Sequence, residues 1–286
     1  MVLQMLCHYP KCRIAIDQVS ISVHKKRPVG ITVKRHAKIG FFFNDLCLQI
    51  TNVCRAAIRV NVAAIGLAMD RDDLGAAARG ITFRTSDGRT VNALLNEASQ
   101  RPAPAVVLVP MLGRTKDDWQ AAGQQLADAN ITALMIDLPG QVLPGDAKVA
   151  AGWSEEIRAA LTFLESRPEV RANALGVAGA SLGGSLAALA AAADPRVHSL
   201  ALISPAADYR GIRIESAMRQ YGARPALLMA SRQDFYAARS ARDLANEPPG
   251  VRELRWSDLS AHGTALLSRE PELVRALVEW FQRTLG

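Results

Sequence analysis

The sequence predicts an α/β protein with a mostly parallel central sheet and helices on both of its faces. Three observations carry that reading. From about residue 80 onward, apolar runs of strand length alternate with amphipathic runs of helix length, and strands separated by helices pair in parallel and need cover on both sides. Residues 70–286 contain no cysteine, so this part rests on a hydrophobic core, which a chain of that length can build. The charge is also uneven. The net +7 comes from residues 1–69, where ten Lys/Arg face two acids, leaving 24 basic and 25 acidic residues beyond.

The elements follow in order. "GITFRTSDGRTVNALLNEA" reads as two strands around Asp87-Gly88, a dipeptide whose residues both tolerate positive φ in a tight hairpin. After the Pro-rich link "RPAP", Ala105 to Val109 has the pattern of a buried strand. Thr115 and Asp118 have capping-box spacing and open the helix "KDDWQAAGQQLADA", which Asn130 closes. Then come the strand "ITALMID", the helix "SEEIRAALTFLESR", the strand "ALGVAGA", the helix "LGGSLAALAAAAD" and the strand "VHSLALISPA". A short helix near Ile214 to Tyr221, the strand "PALLMAS", the helix "YAARSARDLANE", the strand "VRELRWS" and the helix "PELVRALVEWFQRTL" complete the series. No internal repeat is visible.

Residues 1–69 are read as a basic N-terminal extension with no sustained period of 2.0 or 3.6 residues, ahead of a domain spanning 70–286. Met69 fits the start of an ordinary domain. All four cysteines, Cys7, Cys12, Cys47 and Cys54, lie in the extension without a histidine pattern suited to zinc, so no metal is expected. The apolar stretch Ala56 to Met69 is interrupted by Arg59 and Asn61 and is too short to span a bilayer. No membrane insertion is expected, and cytoplasmic localisation is the default, with secretion as the alternative. A basic extension raises nucleic acid as a partner; the near-neutral remainder argues against it.

One serine, Ser181, stands among residues too small to pack: G-A-S-L-G, Gly179 to Gly183, where a buried strand passes into a helix. A nucleophile at such a corner has a strained backbone, so the residues two places away must lack bulk. The following helix aims its N-terminus at a developing oxyanion. A serine hydroxyl needs a base. Of the two downstream histidines, His198 falls inside a strand, whereas His262, in "DLSAHGTALL", lies between the last strand and the last helix. The acid expected to orient that ring is Asp234, after "PALLMAS", with Asp208 one strand earlier as the alternative. Asp258 is too near His262 along the chain. Leu182, directly after the serine, is one expected oxyanion donor. The other should come from "VPMLGRTKDDW", where Pro110 has no N–H, so Leu112 is preferred and Met111 is the alternative.

With these residues quoted, residues 80–286 resemble the α/β-hydrolase superfamily, and within it the compact dienelactone-hydrolase-like and small-esterase branch. "MIDLPGQ" and "SPAADYRGIRIESAMRQYGARPALLMASRQD" contribute to the likeness. The resemblance implies ester hydrolysis through an acyl-enzyme, with no metal or organic cofactor, and a small ester as substrate. Dienelactone hydrolases proper use a cysteine nucleophile, so Ser181 favours simple esters over lactones. Little chain separates "LISP" from "PALLMAS", which implies little or no lid. A thioesterase, amidase or peptidase of the same fold, or a non-catalytic binding protein, is the alternative, and the composition suits a monomer or a homodimer.

Overall fold

The computed structural model describes residues 78–142, 144–246 and 250–286. The basic extension 1–69, its cysteines and the apolar stretch before Met69 lie outside the described residues. The described chain opens with β1 (Arg79–Arg84), β2 (Thr90–Asn96) and β3 (Ala103–Val109), and a 3-10 turn, Lys116–Trp119, leads into α1 (Gln120–Asp128). Next are β4 (Thr132–Ile136), α2 (Ala147–Ala151), α3 (Ser154–Glu165), β5 (Val170–Ala180), α4 (Leu182–Ala193) and β6 (Val197–Ile203). A two-rung ribbon, β7 (Asp208–Tyr209) with β8 (Ile212–Arg213), precedes α5 (Glu215–Tyr221) and β9 (Ala226–Ser231). The chain ends with α6 (Phe235–Ala245), β10 (Arg252–Ser257), α7 (Thr264–Arg269) and α8 (Pro271–Leu285).

Eight strands form one sheet in the order β1-β2-β4-β3-β5-β6-β9-β10. β1 and β2 pair antiparallel with each other and β2 with β4, while every other pairing is parallel. Successive side chains of a strand point to opposite faces, and here both faces are covered. On β3, Ala105, Val107 and Val109 join a core under α3 to α6, including Ile157, Leu186, Met218 and Leu244. Val106 and Leu108 join the opposite core with Leu126 of α1 and Leu277 and Phe281 of α8. This two-sided burial is why the strands read as unbroken apolar runs. Each fully buried Leu, Val or Phe contributes roughly 1.5–3 kcal/mol.

Three local features differ from the sequence reading. In the hairpin only Gly88 takes positive φ, +88°; Gly88 N–H bonds Thr85 C=O (3.0 Å) and Thr85 N–H bonds Arg89 C=O (2.9 Å), giving a three-residue loop. The capping box does not form. Thr115 caps the 3-10 turn through Asp117 N–H, while Asp118 faces Arg114 and Thr264, because charged and hydroxyl donors hold a carboxylate more strongly than the cap's own amide does. The elements α2, α7 and β7–β8 have no counterpart in the sequence pattern, because they are one or two turns or rungs long, too short to show a period. Asn130 does end the α1 segment, at φ +61°, with its side chain accepting from Gln100 N–H (2.8 Å). Among the described residues, no helix is long and apolar enough to cross a membrane.

Glu156 of α3 is buried beside Arg89, whose Nη1 lies 2.7 Å from its carboxylate. Burial outweighs the guanidinium and pushes the carboxyl up to about 7. Between the ordinary glutamate value and 7 the folded chain therefore binds a proton that the unfolded chain has released, so this group's contribution falls as pH rises through that window. The shift corresponds to roughly 3 kcal/mol. Glu156→Gln should remove that slope, and urea midpoints of the two proteins at pH 5 and pH 7.5 check it: the variant gains relative to wild type at the higher pH.

Candidate active site

β5 ends at Ala180, and Ser181 turns the chain into α4 with φ +51° and ψ −119°. A side-chain-bearing residue at positive φ costs on the order of 1–3 kcal/mol and persists only where its surroundings hold it. Here the Ser181 N–H bonds Ile203 C=O (2.9 Å), and its C=O accepts from Gly184 N–H (2.9 Å) and Ser185 N–H (3.1 Å). The neighbouring glycines are required by main-chain contact. A Cβ on Gly179 would strike Gly183 C=O, and a Cβ on Gly183 would strike Pro110 C=O and stand 2.7 Å from Val109 O. Ser181 is 6% exposed.

His262 lies in the connection between β10 and α7 and keeps a 44% exposed side chain. Its Nδ1 is 2.5 Å from Asp234 Oδ2. Asp234 caps α6, its other oxygen accepting from Ala237 N–H (3.2 Å), so the helix fixes the carboxylate while its second oxygen meets the ring. The two loops are joined further by Ser231 Oγ donating to Leu259 C=O (2.6 Å) and by Gln233 Nε2 donating to Asp258 C=O (2.5 Å).

Ser181 and His262 line one cavity of about 280 Å³ with Met111, Leu112, Ser204, Pro205, Ala206, Tyr209 and Tyr236. Among the described residues no hydrogen bond joins the Ser181 hydroxyl to the ring; in ligand-free sites such bonds are often long and tighten on binding. Leu182 opens α4, and its N–H is one of the donors that a helix start leaves without an intrahelical partner. Leu112 and Met111 both line the cavity wall. Their loop is tied down by Lys116, whose N–H and Nζ bond the two Asp137 oxygens at 2.9 and 2.7 Å. It is also tied by Asp118, which takes Arg114 at 2.6 and 2.7 Å and Thr264 Oγ1 at 3.0 Å. The Arg114 hydrogen bonds hold the Asp118 carboxyl below the ordinary aspartate range.

The other candidates stand elsewhere. Asp208 stabilises the β7–β8 turn, accepting from Gly211 N–H (2.6 Å) and Arg213 Nε (3.0 Å). Asp258 is exposed and pairs with Arg232 (3.1 Å). His198 is half-buried in β6. Among the described residues no group of three His, Cys, Asp or Glu side chains is gathered as a metal site.

Residues 106–284 match the alpha/beta hydrolase family. The chain belongs to that family. A carboxymethylenebutenolidase from Pseudomonas putida is 24% identical to this hydrolase over 213 residues, covering 66% of this chain and 86% of that one. A dienelactone hydrolase from Anabaena variabilis superposes with a TM-score of 0.61 at 20% identity, over 74% of this chain and all of the other. An esterase from Pyrococcus furiosus gives a TM-score of 0.62 at 14% identity, over 76% of this chain and 96% of that one. The fold is thus dienelactone-hydrolase-like.

Three further residues of the cavity wall in this hydrolase, Ser204, Tyr209 and Tyr236, stand in no motif of the sequence. Tyr236 donates its hydroxyl to Asp208 C=O, fastening the β7–β8 ribbon to the start of α6. Its only signal was its place two residues after Asp234. Gly183→Ala should destabilise the hydrolase by about 3 kcal/mol or more, because two carbonyls have no room to retreat. Denaturant midpoints of purified protein check this, with failure to accumulate soluble protein as the extreme form of the same result.

Proposed function

We propose that the protein is a serine hydrolase that cleaves short-chain carboxylic esters, with residues 70–286 as the catalytic unit. The observation that carries the reading is that Ser181 and His262 line one cavity while Asp234 meets the far side of the His262 ring at 2.5 Å. In the first step Ser181 Oγ attacks the ester carbonyl carbon as His262 takes its proton. Asp234 holds the ring and stabilises its cationic form. The negative oxygen is received by the N–H groups of Leu182 and Leu112. Collapse expels the alcohol, which takes its proton from His262. Water then enters, loses a proton to the same ring and attacks the acyl-enzyme, releasing the acid and restoring Ser181.

Substrate size is argued from the space available. A cavity of about 280 Å³ is at or below the small end of ligand sites. Between β6 and β9 the chain supplies only the β7–β8 ribbon and α5, with no helical lid to cover a long acyl chain. A second reading, lactone hydrolysis, is favoured by the butenolidase and dienelactone hydrolase among the similar proteins.

Two outcomes are expected. Ser181→Ala should lower kcat/KM on p-nitrophenyl butyrate by at least about 10⁴-fold and abolish covalent labelling by a fluorophosphonate; full activity in the variant removes the proposal. In a panel of esters from acetate to palmitate, together with a dienelactone, kcat/KM should peak at the short acyl chains. A peak at the long chains contradicts the size argument, and a peak at the lactone selects the second reading.

A further inference from the structure

We propose that Ser204 is a positioning residue that holds the histidine loop from its main-chain side, an inference that rests on the roles proposed above for Ser181, Asp234 and His262. Ser204 follows the last residue of β6. It is fully buried and has φ +49°, the left-handed region that side-chain-bearing residues enter at a cost. Two bonds hold it there: its N–H to Met229 C=O (2.7 Å), and its Oγ, which accepts from Gly263 N–H at 2.9 Å. Gly263 is the residue directly after His262. It too has positive φ, +58°, and a Cβ there would stand 2.7 Å from Met111 Sδ. The main chain at 263 is therefore pressed between Met111 on one side and the Ser204 hydroxyl on the other.

Asp234 alone does not set where the imidazole stands. A bond at Nδ1 fixes the ring's tilt and tautomer, but the ring can keep that bond while its backbone slides. The Ser204 contact removes this freedom by fixing the peptide between His262 and Gly263. It also gives a short route from base to nucleophile, since Ile203, next to Ser204, is the residue whose carbonyl receives the Ser181 N–H. Ser204 lines the cavity with both. The strained turn at the end of β6 thus carries a hydroxyl across the end of the intervening β9 to the loop from β10, joining the two strand ends beneath the reacting atoms.

The test compares S204G, which adopts positive φ without strain but lacks the hydroxyl, with S204A, which lacks the hydroxyl and keeps the strain. With p-nitrophenyl butyrate as probe, both should lower kcat by about 10- to 100-fold while KM changes by less than about twofold, the pattern of a misplaced catalytic group. Fluorophosphonate labelling of Ser181 should slow by the same factor, in protein whose Tm shows that S204G remains folded. Wild-type kcat and labelling rate in S204G overturn the inference and leave the serine hydrolase intact. Activity that falls only in proportion to the folded fraction overturns it as well. Absence of Ser181 labelling in the wild-type chain removes the underlying function, and this inference with it.

Discussion

The contact between main chains at Gly179, Gly183 and Pro110 is the constraint on which the rest of the site depends. β5 and the first turn of α4 approach until a single methyl group would strike a carbonyl, and the carbonyl of Pro110 closes on Gly183 from the neighbouring strand end. Because no side chain intervenes, the sheet and helix cannot slide to relieve the strained backbone of Ser181. That rigidity is shared. Pro110 begins the loop carrying Met111 and Leu112, so the spacing between the helix start and the cavity wall is set by a main-chain contact rather than by adjustable side-chain packing. At its other end α4 has no terminal glycine; the Arg224 guanidinium takes the carbonyls of Ala191, Asp194 and Val197 at 2.7–3.0 Å while its carbon lies 4.1 Å from the Tyr221 ring centre. Both ends of the helix behind Ser181 are thereby held.

The loops around this corner are joined to one another by polar contacts at strand ends. Asp137, just past β4, takes Lys116. Asp118 joins the same loop to Thr264 after the histidine, and Ser231 and Gln233 join the acid-bearing loop to the residues ahead of it. In parallel sheets the carboxyl edge collects loops from several strands, and these short side chains make a loop cluster behave as one body. The partly buried bonds among them gain strength from their low-dielectric setting and are costly to leave half-made.

Much of this was legible in the sequence because its causes are local. Unbroken apolar runs such as Ala105 to Val109 state two-sided burial directly, and the glycines two residues on either side of Ser181 state that its corner has no room. The position of His262 after the last strand followed from chain order, as did that of Asp234. What stayed hidden depends on partners far along the chain. Asp118 has a local cap to offer, but it turns instead to Arg114 and to Thr264, and the second of these arrives 146 residues later. Ser204 looks like any serine ending a strand until Gly263 is seen to lie against its hydroxyl. The hairpin differs from its sequence pattern for a smaller reason: positive φ is needed once in a three-residue loop, and Gly88 alone supplies it.

The 44% exposure of the His262 side chain carries a chemical consequence for the second half of the proposed reaction. Nothing about an open imidazole selects water over other small nucleophiles; whichever hydroxyl compound occupies the vacated alcohol position is deprotonated by the same nitrogen. Partitioning of the acyl group is then set by local concentration and nucleophilicity. In solutions rich in methanol or ethanol the proposed machinery would run as a transesterification catalyst, a consequence of the uncovered ring.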